Sequence, residues 1–184
     1  LKKKILHVLP SLFNGGVEWA VIDLARTIKS YNHYDSVVLS SGGRLVKHLD
    51  DIDVKHIRIN FKTKNPLQIL KNIFLLKKIL KDERIDIIHA HSRVPAWYLF
   101  LINKATKLPF VTTYHGAYSQ TNFLKKIYNG IMTKGKFTIA ISDFMDNFIQ
   151  KAHPSTKNTV LIKEGMDSNY FSINQVDTKQ SLFL

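Results

Sequence analysis

The first twenty-five residues hold a strand, a glycine loop and a helix, in that order. Ile5 to Leu9 is a short, mostly apolar run of strand length; Pro10 ends it, and Gly15-Gly16 closes the small-residue loop that follows. Val17, Ala20, Val21, Leu24 and Ala25 then recur at helical spacing. Such a junction brings free backbone N–H groups and the positive end of a helix dipole to the carboxyl edge of a sheet, where an anion is favoured. The glycines match neither G-x-G-x-x-G nor G-x-x-x-x-G-K-[ST], so neither familiar nucleotide fingerprint is met. On spacing alone, Gly15-Gly16 reads equally as a close approach to phosphate or as a tight turn. Glu18 lies in the first helical turn, where a carboxylate suits the dipole whatever else it does.

The same alternation continues along the chain. Strands are expected at 4–9, 35–40, 54–59, 85–90, 109–114, 137–141 and 158–163. Helices are expected at 17–31, 66–82, 95–106, 121–134 and 143–152, with a shorter one near 44–50. Several strands are near-continuous apolar runs, Phe137 to Ile141 most clearly, as strands covered on both faces are. The expected fold is α/β: a doubly wound, mainly parallel sheet of about seven strands. Residues 1–168 read as one Rossmann-like domain, and 169–184 as a linker or the first steps of a further domain.

Composition narrows the chemistry. The 184 residues include no cysteine, which excludes disulfides and thiolate metal sites. Net charge is +13, from 27 Lys and Arg against 14 Asp and Glu, which favours anionic partners. No secretory signal is evident, and the longest mostly apolar run, Val94 to Ile102, is about half of the ~20 residues that a membrane span needs. A cytoplasmic location is expected, with peripheral attachment at the inner face of the plasma membrane.

Two polar clusters fall where strands leave the sheet, the edge at which doubly wound folds bind ligands. His89-Ala90-His91-Ser92-Arg93 places two imidazoles at i and i+2, on one strand face. No third ligand of matching spacing is evident, so no metal site is expected. Hydrogen bonding to a polar ligand suits the pair better, with Arg93 available for phosphate or carboxylate. Thr112-Thr113-Tyr114-His115-Gly116 ends the fifth strand, where His115 can act as base, acid or donor near neutral pH. Between Lys62 and Lys81 lie six lysines and no acid. Over Pro66 to Lys81, Lys71, Lys77, Lys78 and Lys81 interleave with an apolar repeat. This reads as a sheet-covering helix whose lysine face adds weak attraction to an anionic membrane.

Taken in order, HVLPSLFNGGVEWAVIDLA, DIIHAHSRVPAWYLFL, PFVTTYHGAYS, FTIAISDF and VLIKEGMDSNYF resemble the amino-terminal domain of the retaining, GT-B-fold glycosyltransferases of family 4. The resemblance runs from about Lys4 to Phe171. It implies transfer of a sugar from a nucleotide-sugar, as co-substrate and with no other cofactor, to a lipid-linked, lipopolysaccharide or other cell-envelope polysaccharide acceptor. His115 would be the catalytic histidine beside the reacting sugar. Gly15 and Gly16 would face the donor diphosphate. Glu18, His91, Ser92, Arg93, Tyr118, Ser142 and Gly165 would line the substrate cleft. Gly165 and Asp167 match the family's Asn-Gly-Val/Ile-Asp, while Glu164 departs from it.

In that family the nucleotide-sugar is held mainly by a second domain, with an Arg/Lys pair and a Glu-x7-Glu motif. The resemblance therefore implies little or no transferase activity from these 184 residues alone. A non-catalytic ligand-binding domain that works with a separate partner chain is the alternative. Self-association through the face where a second domain would dock is a further expectation. An NAD-type oxidoreductase is disfavoured by the glycine spacing, and by the run Ser36 to Gly43, which ends the second strand without an acid. Nucleic acid is not expected as a partner, because Trp97, Tyr98 and Phe100 sit in an apolar helical run.

Overall fold

The computed structural model describes residues 2–63 and 65–165. The expected linker at 169–184 and Asp167 lie outside the described residues. Seven parallel strands form one sheet: β1 (Lys3–Val8), β2 (Tyr34–Ser40), β3 (Lys55–Arg58), β4 (Ile87–Ala90), β5 (Phe110–Tyr114), β6 (Phe137–Ala140) and β7 (Thr159–Leu161). Their order is β3-β2-β1-β4-β5-β6-β7. The chain winds outward from β1 through β3, then crosses back to β4 and winds the other way. The switch point therefore falls between β1 and β4, where doubly wound sheets open a crevice.

The helices are α1 (Gly16–Ser30), α2 (Val46–Asp50), α3 (Pro66–Asp82), α4 (Arg93–Thr106), α5 (Phe123–Asn129) and α6 (Asp143–Ala152). The helix expected over 121–134 divides in two: α5 stops at Asn129 and a 3-10 helix covers Gly130–Thr133. Three helices start on side-chain caps, with Asn65, Asn122 and Ser142 accepting from Leu67, Lys125 and Met145 N–H.

Side chains alternate across the strands, so each face has its own core. On one face Leu6, Val8, Ile88, Ala90, Phe110, Tyr114 and Ala140 pack under α3, α4, the 3-10 helix and α6. On the other, Leu9, Val38 and Val54 pack with Val21, Ile22 and Ala25 of α1 and Leu49 of α2. Only α1 and α2 lie on this second face among the described residues, and they cover the β1–β3 side. Among the described residues, no helix covers the β5–β7 side of this face. Ile139 and Ile141 line an open trough of about 720 Å³ with Ile5, Ile87 and Val111, walled on one side by Leu24 and Ile28 of α1.

α3 divides cleanly by angle around its axis. Asn72, Leu76, Ile79 and Leu80 are buried. The outward arc carries exposed Leu67, Leu70, Phe74 and Leu75 together with exposed Lys71, Lys77, Lys78 and Lys81. The apolar repeat is therefore wider than the sheet requires, and half of it faces out. No helix among the described residues is long and apolar enough to cross a membrane.

The loop after β1 is pinned to the loop after β2. Leu12 N–H donates to Gly42 O (3.0 Å) and Leu12 O accepts from Leu45 N–H (2.8 Å). Gly43, at φ +151°, lies so close that a Cβ there would stand 2.3 Å from the Leu12 carbonyl. Both backbone and space demand glycine. Gly43→Ala is expected to cost about 2 kcal/mol or more, read as a lower urea midpoint; an unchanged midpoint would show that this junction yields freely.

Candidate active site

Strand register places the site. In the parallel pairing of β1 with β4, His7 sits opposite His89, and in that of β4 with β5, His89 sits opposite Val111. Parallel neighbours lie about 4.8 Å apart, so same-face side chains on these strands touch. His7, His89, His91, Thr113 and His115 all fall on the face of the open trough. The expectation that His89 and His91 face the same way holds, with ring centroids 4.1 Å apart. His7, which the sequence reading did not single out, joins them at 5.4 Å from each ring.

These rings form a chain of polar contacts. Ser36 Oγ meets His7 Nε2 at 3.4 Å, His7 Nδ1 meets His91 Nε2 at 3.2 Å, and His91 Nδ1 meets His115 Nε2 at 3.0 Å. His115 Nδ1 then stands 3.6 Å from Glu164 Oε1. Burial keeps the inner rings neutral: His7 is pushed down to about 4, and His89 and His91 fall well below the usual imidazole range, further lowered by each other's proximity. A neutral imidazole has one N–H and one lone pair. A carboxylate can only accept, so Glu164 favours the N–H on His115 Nδ1. With the proton there, His91 Nδ1–H can donate to His115, His7 Nδ1–H to His91, and Ser36 O–H to His7. His89 stands aside, with Nε2 2.7 Å from Thr113 Oγ1.

At the carboxyl edge, a second recess of about 310 Å³ is lined by Leu9, Pro10, Val17, Glu18, His91, Ser92, His115, Gly116 and Tyr118. Five of the expected site residues, Glu18, His91, Ser92, His115 and Tyr118, meet there. Ser92 Oγ is buried and has no hydrogen-bond partner among the described residues, although it stands at the N-cap of α4. A cap hydroxyl normally accepts from the first turn, as Ser142 does for α6. Ser92 lines the recess with its hydroxyl buried and uncommitted to the cap, and the positive end of the 14-residue helix lies beside it.

The other expected residues have different surroundings. Arg93 is tied into the fold: Nη1 donates to Asn129 Oδ1 (2.9 Å), and the guanidinium lies 4.2 Å from the Tyr118 ring centroid and 5.4 Å from that of Tyr128. Glu18 folds back over the glycine loop, its Oε2 2.6 Å from where a Gly15 Cβ would stand. Gly16 meets open space and lies at the first position of α1. Ser142 caps α6, and Gly165 lines the trough rather than the recess. Lys71, Lys77, Lys78 and Lys81 are on α3, outside the residues lining both cavities.

The sequence profile of Glycosyltransferase Family 4 matches residues 14–170. The chain belongs to glycosyltransferase family 4. A solved glycosyltransferase from Rickettsia africae is 38% identical, with a TM-score of 0.80 over 97% of this chain and 47% of its own. Anabaena Alr3699/HepE, solved in complex with UDP and glucose, is 18% identical (TM-score 0.71; 91% of this chain, 46% of that one). The lipopolysaccharide outer core galactosyltransferase WaaB is 15% identical (TM-score 0.68; 89% and 46%). The last two show the fold alone. The chain spans about half the length of these solved relatives. None of the curated proteins matches it. The Rossmann-like α/β sheet is that of GT-B glycosyltransferases.

The two polar caps make a paired test of the site. Ser142→Ala should cost about 1 kcal/mol of stability. Ser92→Ala, which removes a hydroxyl with no protein partner, should change stability by less than about 0.5 kcal/mol. Urea melts of the two variants read the difference; equal losses would assign Ser92 to capping.

Proposed function

We propose that this chain forms the acceptor-side half of a nucleotide-sugar-dependent glycosyltransferase. The product is a glycosylated lipid-linked or cell-envelope polysaccharide acceptor, made at the inner face of a membrane. The observation that carries this reading is the recess at the carboxyl edge. Glu18, His91, Ser92, His115 and Tyr118 converge on it, and its Ser92 hydroxyl is unpartnered among the described residues. The family and the named neighbours support the same reading. HepE is described in complex with UDP-glucose, and WaaB is named as a lipopolysaccharide galactosyltransferase.

In such a transfer the acceptor oxygen bonds to the anomeric carbon as the bond to the diphosphate breaks. The electron pair goes to the departing diphosphate oxygen, where negative charge develops, and that oxygen takes the proton which the acceptor hydroxyl loses. His115 is the group placed to hold the sugar. Its Nε2 accepts from His91, and the 3.6 Å from Nδ1 to Glu164 exceeds a hydrogen bond. That N–H is therefore available to a sugar oxygen. The donor diphosphate is held mainly by a second, cationic half of the enzyme, and Gly15-Gly16 and the α4 N-terminus complete the opposite wall.

The assay uses the full-length protein with a panel of nucleotide-sugars and lipid-linked acceptors. Turnover is expected, and His115→Ala should lower kcat by about 100-fold or more; a variant as active as the wild type would remove His115 from the mechanism. Residues 1–184 alone should show little turnover. Robust transfer by that piece would overturn the half-site reading, while nucleotide or glycan binding without transfer by the full-length protein would favour a binding module.

The outward arc of α3 is the proposed membrane contact. Leu67, Leu70, Phe74 and Leu75 supply apolar area toward one end, with Lys71 among them, and Lys77, Lys78 and Lys81 supply charge toward the other. Flotation with anionic vesicles should carry the protein at low salt and lose it as salt rises. Phe74→Ser with Lys78→Glu should abolish flotation; no binding by the wild type would end the proposal.

A further inference from the structure

We propose that His7, His89 and His91 form a binding site for one zinc-class divalent ion, with water in the fourth position facing the apolar trough. The inference does not rest on the sugar-transfer reading. The sequence offered only an imidazole pair, and no metal was expected because a third ligand was not evident. The fold supplies that ligand from a neighbouring strand, 82 residues away along the chain, by setting His7 opposite His89.

Geometry makes the case. One nitrogen from each of the three rings lies within 4.8 Å of the others. His7 Nδ1 and His91 Nε2 are 3.2 Å apart. Two imidazole nitrogens on a tetrahedral zinc, at about 2.0–2.1 Å from the metal, stand about 3.3–3.4 Å apart. That pair already has ligand spacing, and closing the set takes up at most about 1.4 Å. All three rings are buried, and all three line the trough, so an ion has a way in.

Each ring is also held from behind, as metal-binding imidazoles are. His7 Nε2 meets Ser36 Oγ, His89 Nε2 meets Thr113 Oγ1, and His91 Nδ1 meets His115 Nε2. These contacts leave Nδ1 of His7, Nδ1 of His89 and Nε2 of His91 as the inward atoms. His89 Nδ1 has no hydrogen-bond partner among the described residues, and His89 is only 6% exposed. With Nε2–H given to Thr113, Nδ1 presents a lone pair at the trough, and a cation can take that lone pair without a proton.

The chemistry of the set selects the ion. Three neutral imidazoles with no thiolate and no carboxylate suit zinc, nickel or copper(II), and not magnesium or calcium. Because burial already keeps the rings uncharged, ligation needs no net loss of protons. His7 moves its proton from Nδ1 to Nε2, where Ser36 Oγ accepts it, and His89 and His91 keep theirs.

The test uses tag-free full-length protein, stripped with a chelator and dialysed. Zinc titrated against a chromogenic competitor should bind at one equivalent, and cobalt should give the visible bands of a tetrahedral site that zinc then bleaches. His89→Gln should weaken zinc by more than the roughly 10–100-fold that a supporting residue costs, and Ser36→Ala by no more than that range. His33→Gln, at an exposed histidine, should leave binding unchanged. If His89→Gln fails to fold, His7→Asn takes its place. Wild-type protein that takes up no zinc at tens of micromolar, or whose uptake is lost with His33→Gln, overturns the proposal whatever the variants do.

Discussion

The parallel pairing of β1 with β4 governs the rest of this structure. It is the switch point of the sheet, so the two halves of the fold diverge from it. It sets His7 beside His89 and lets His91 N–H donate to Val8 O at 3.0 Å, which fixes the exit of β4 against that of β1. A slip of one residue would turn every side chain of β4 to the other face. His89 and His91 would then enter the dense core beneath α3 and α4, and Ile88 and Ala90 would face the trough. The imidazoles therefore hold their places because the apolar residues between them are needed on the opposite side.

Four histidines can share so small a volume because most of them stay neutral. Burial alone pushes His7 down to about 4, and crowding adds to burial at His89 and His91. The cluster also joins two unlike cavities. His91 and His115 line both the apolar trough behind the sheet edge and the polar recess in front of it. Whatever occupies the trough near His7 or His89 acts on the recess through one bond, His91 to His115. Glu164 stands at the other end, its carboxylate 3.6 Å from His115 Nδ1.

The backbone was largely legible in the sequence. Each of the seven strands overlaps its expected bounds, and α3 and α6 match theirs. Helical pattern ran on through Gly130 where the chain tightens into a 3-10 turn, because periods of 3.6 and 3.0 are hard to separate over one turn. Apolar runs could not say what covers each face: Ile139 lies in a run that reads as doubly covered, and among the described residues it borders the trough. The site was half legible. His91, Ser92 and His115 follow from their place at strand ends. His7 did not, because only register, a non-local property, brings it to them. Arg93 looked like a free cation, and its engagement depends on Asn129 and two tyrosines about 25 to 36 residues on.

That engagement bears on how the cleft handles charge. The described residues lining the carboxyl-edge recess include one carboxylate, Glu18, and no lysine or arginine. Glu18 already lies against the start of α1, so an anion placed there would meet a like charge before it met the helix dipole. The α4 N-terminus, with the unpaired Ser92 hydroxyl, is the better dipole for a phosphate, yet one helix end is worth only about 0.3–1 kcal/mol to a surface charge. A diphosphate gaining charge as its bond to the sugar breaks needs far more than this. The +13 of the chain does not supply it here: four of its lysines are on α3, away from the residues lining the recess, and Arg93 is committed to the fold. On the proposed transfer, the recess would contribute groups for sugar and acceptor hydroxyls and one helix end toward the diphosphate, and most of the cationic charge that draws the leaving group away would come from the second half of the enzyme.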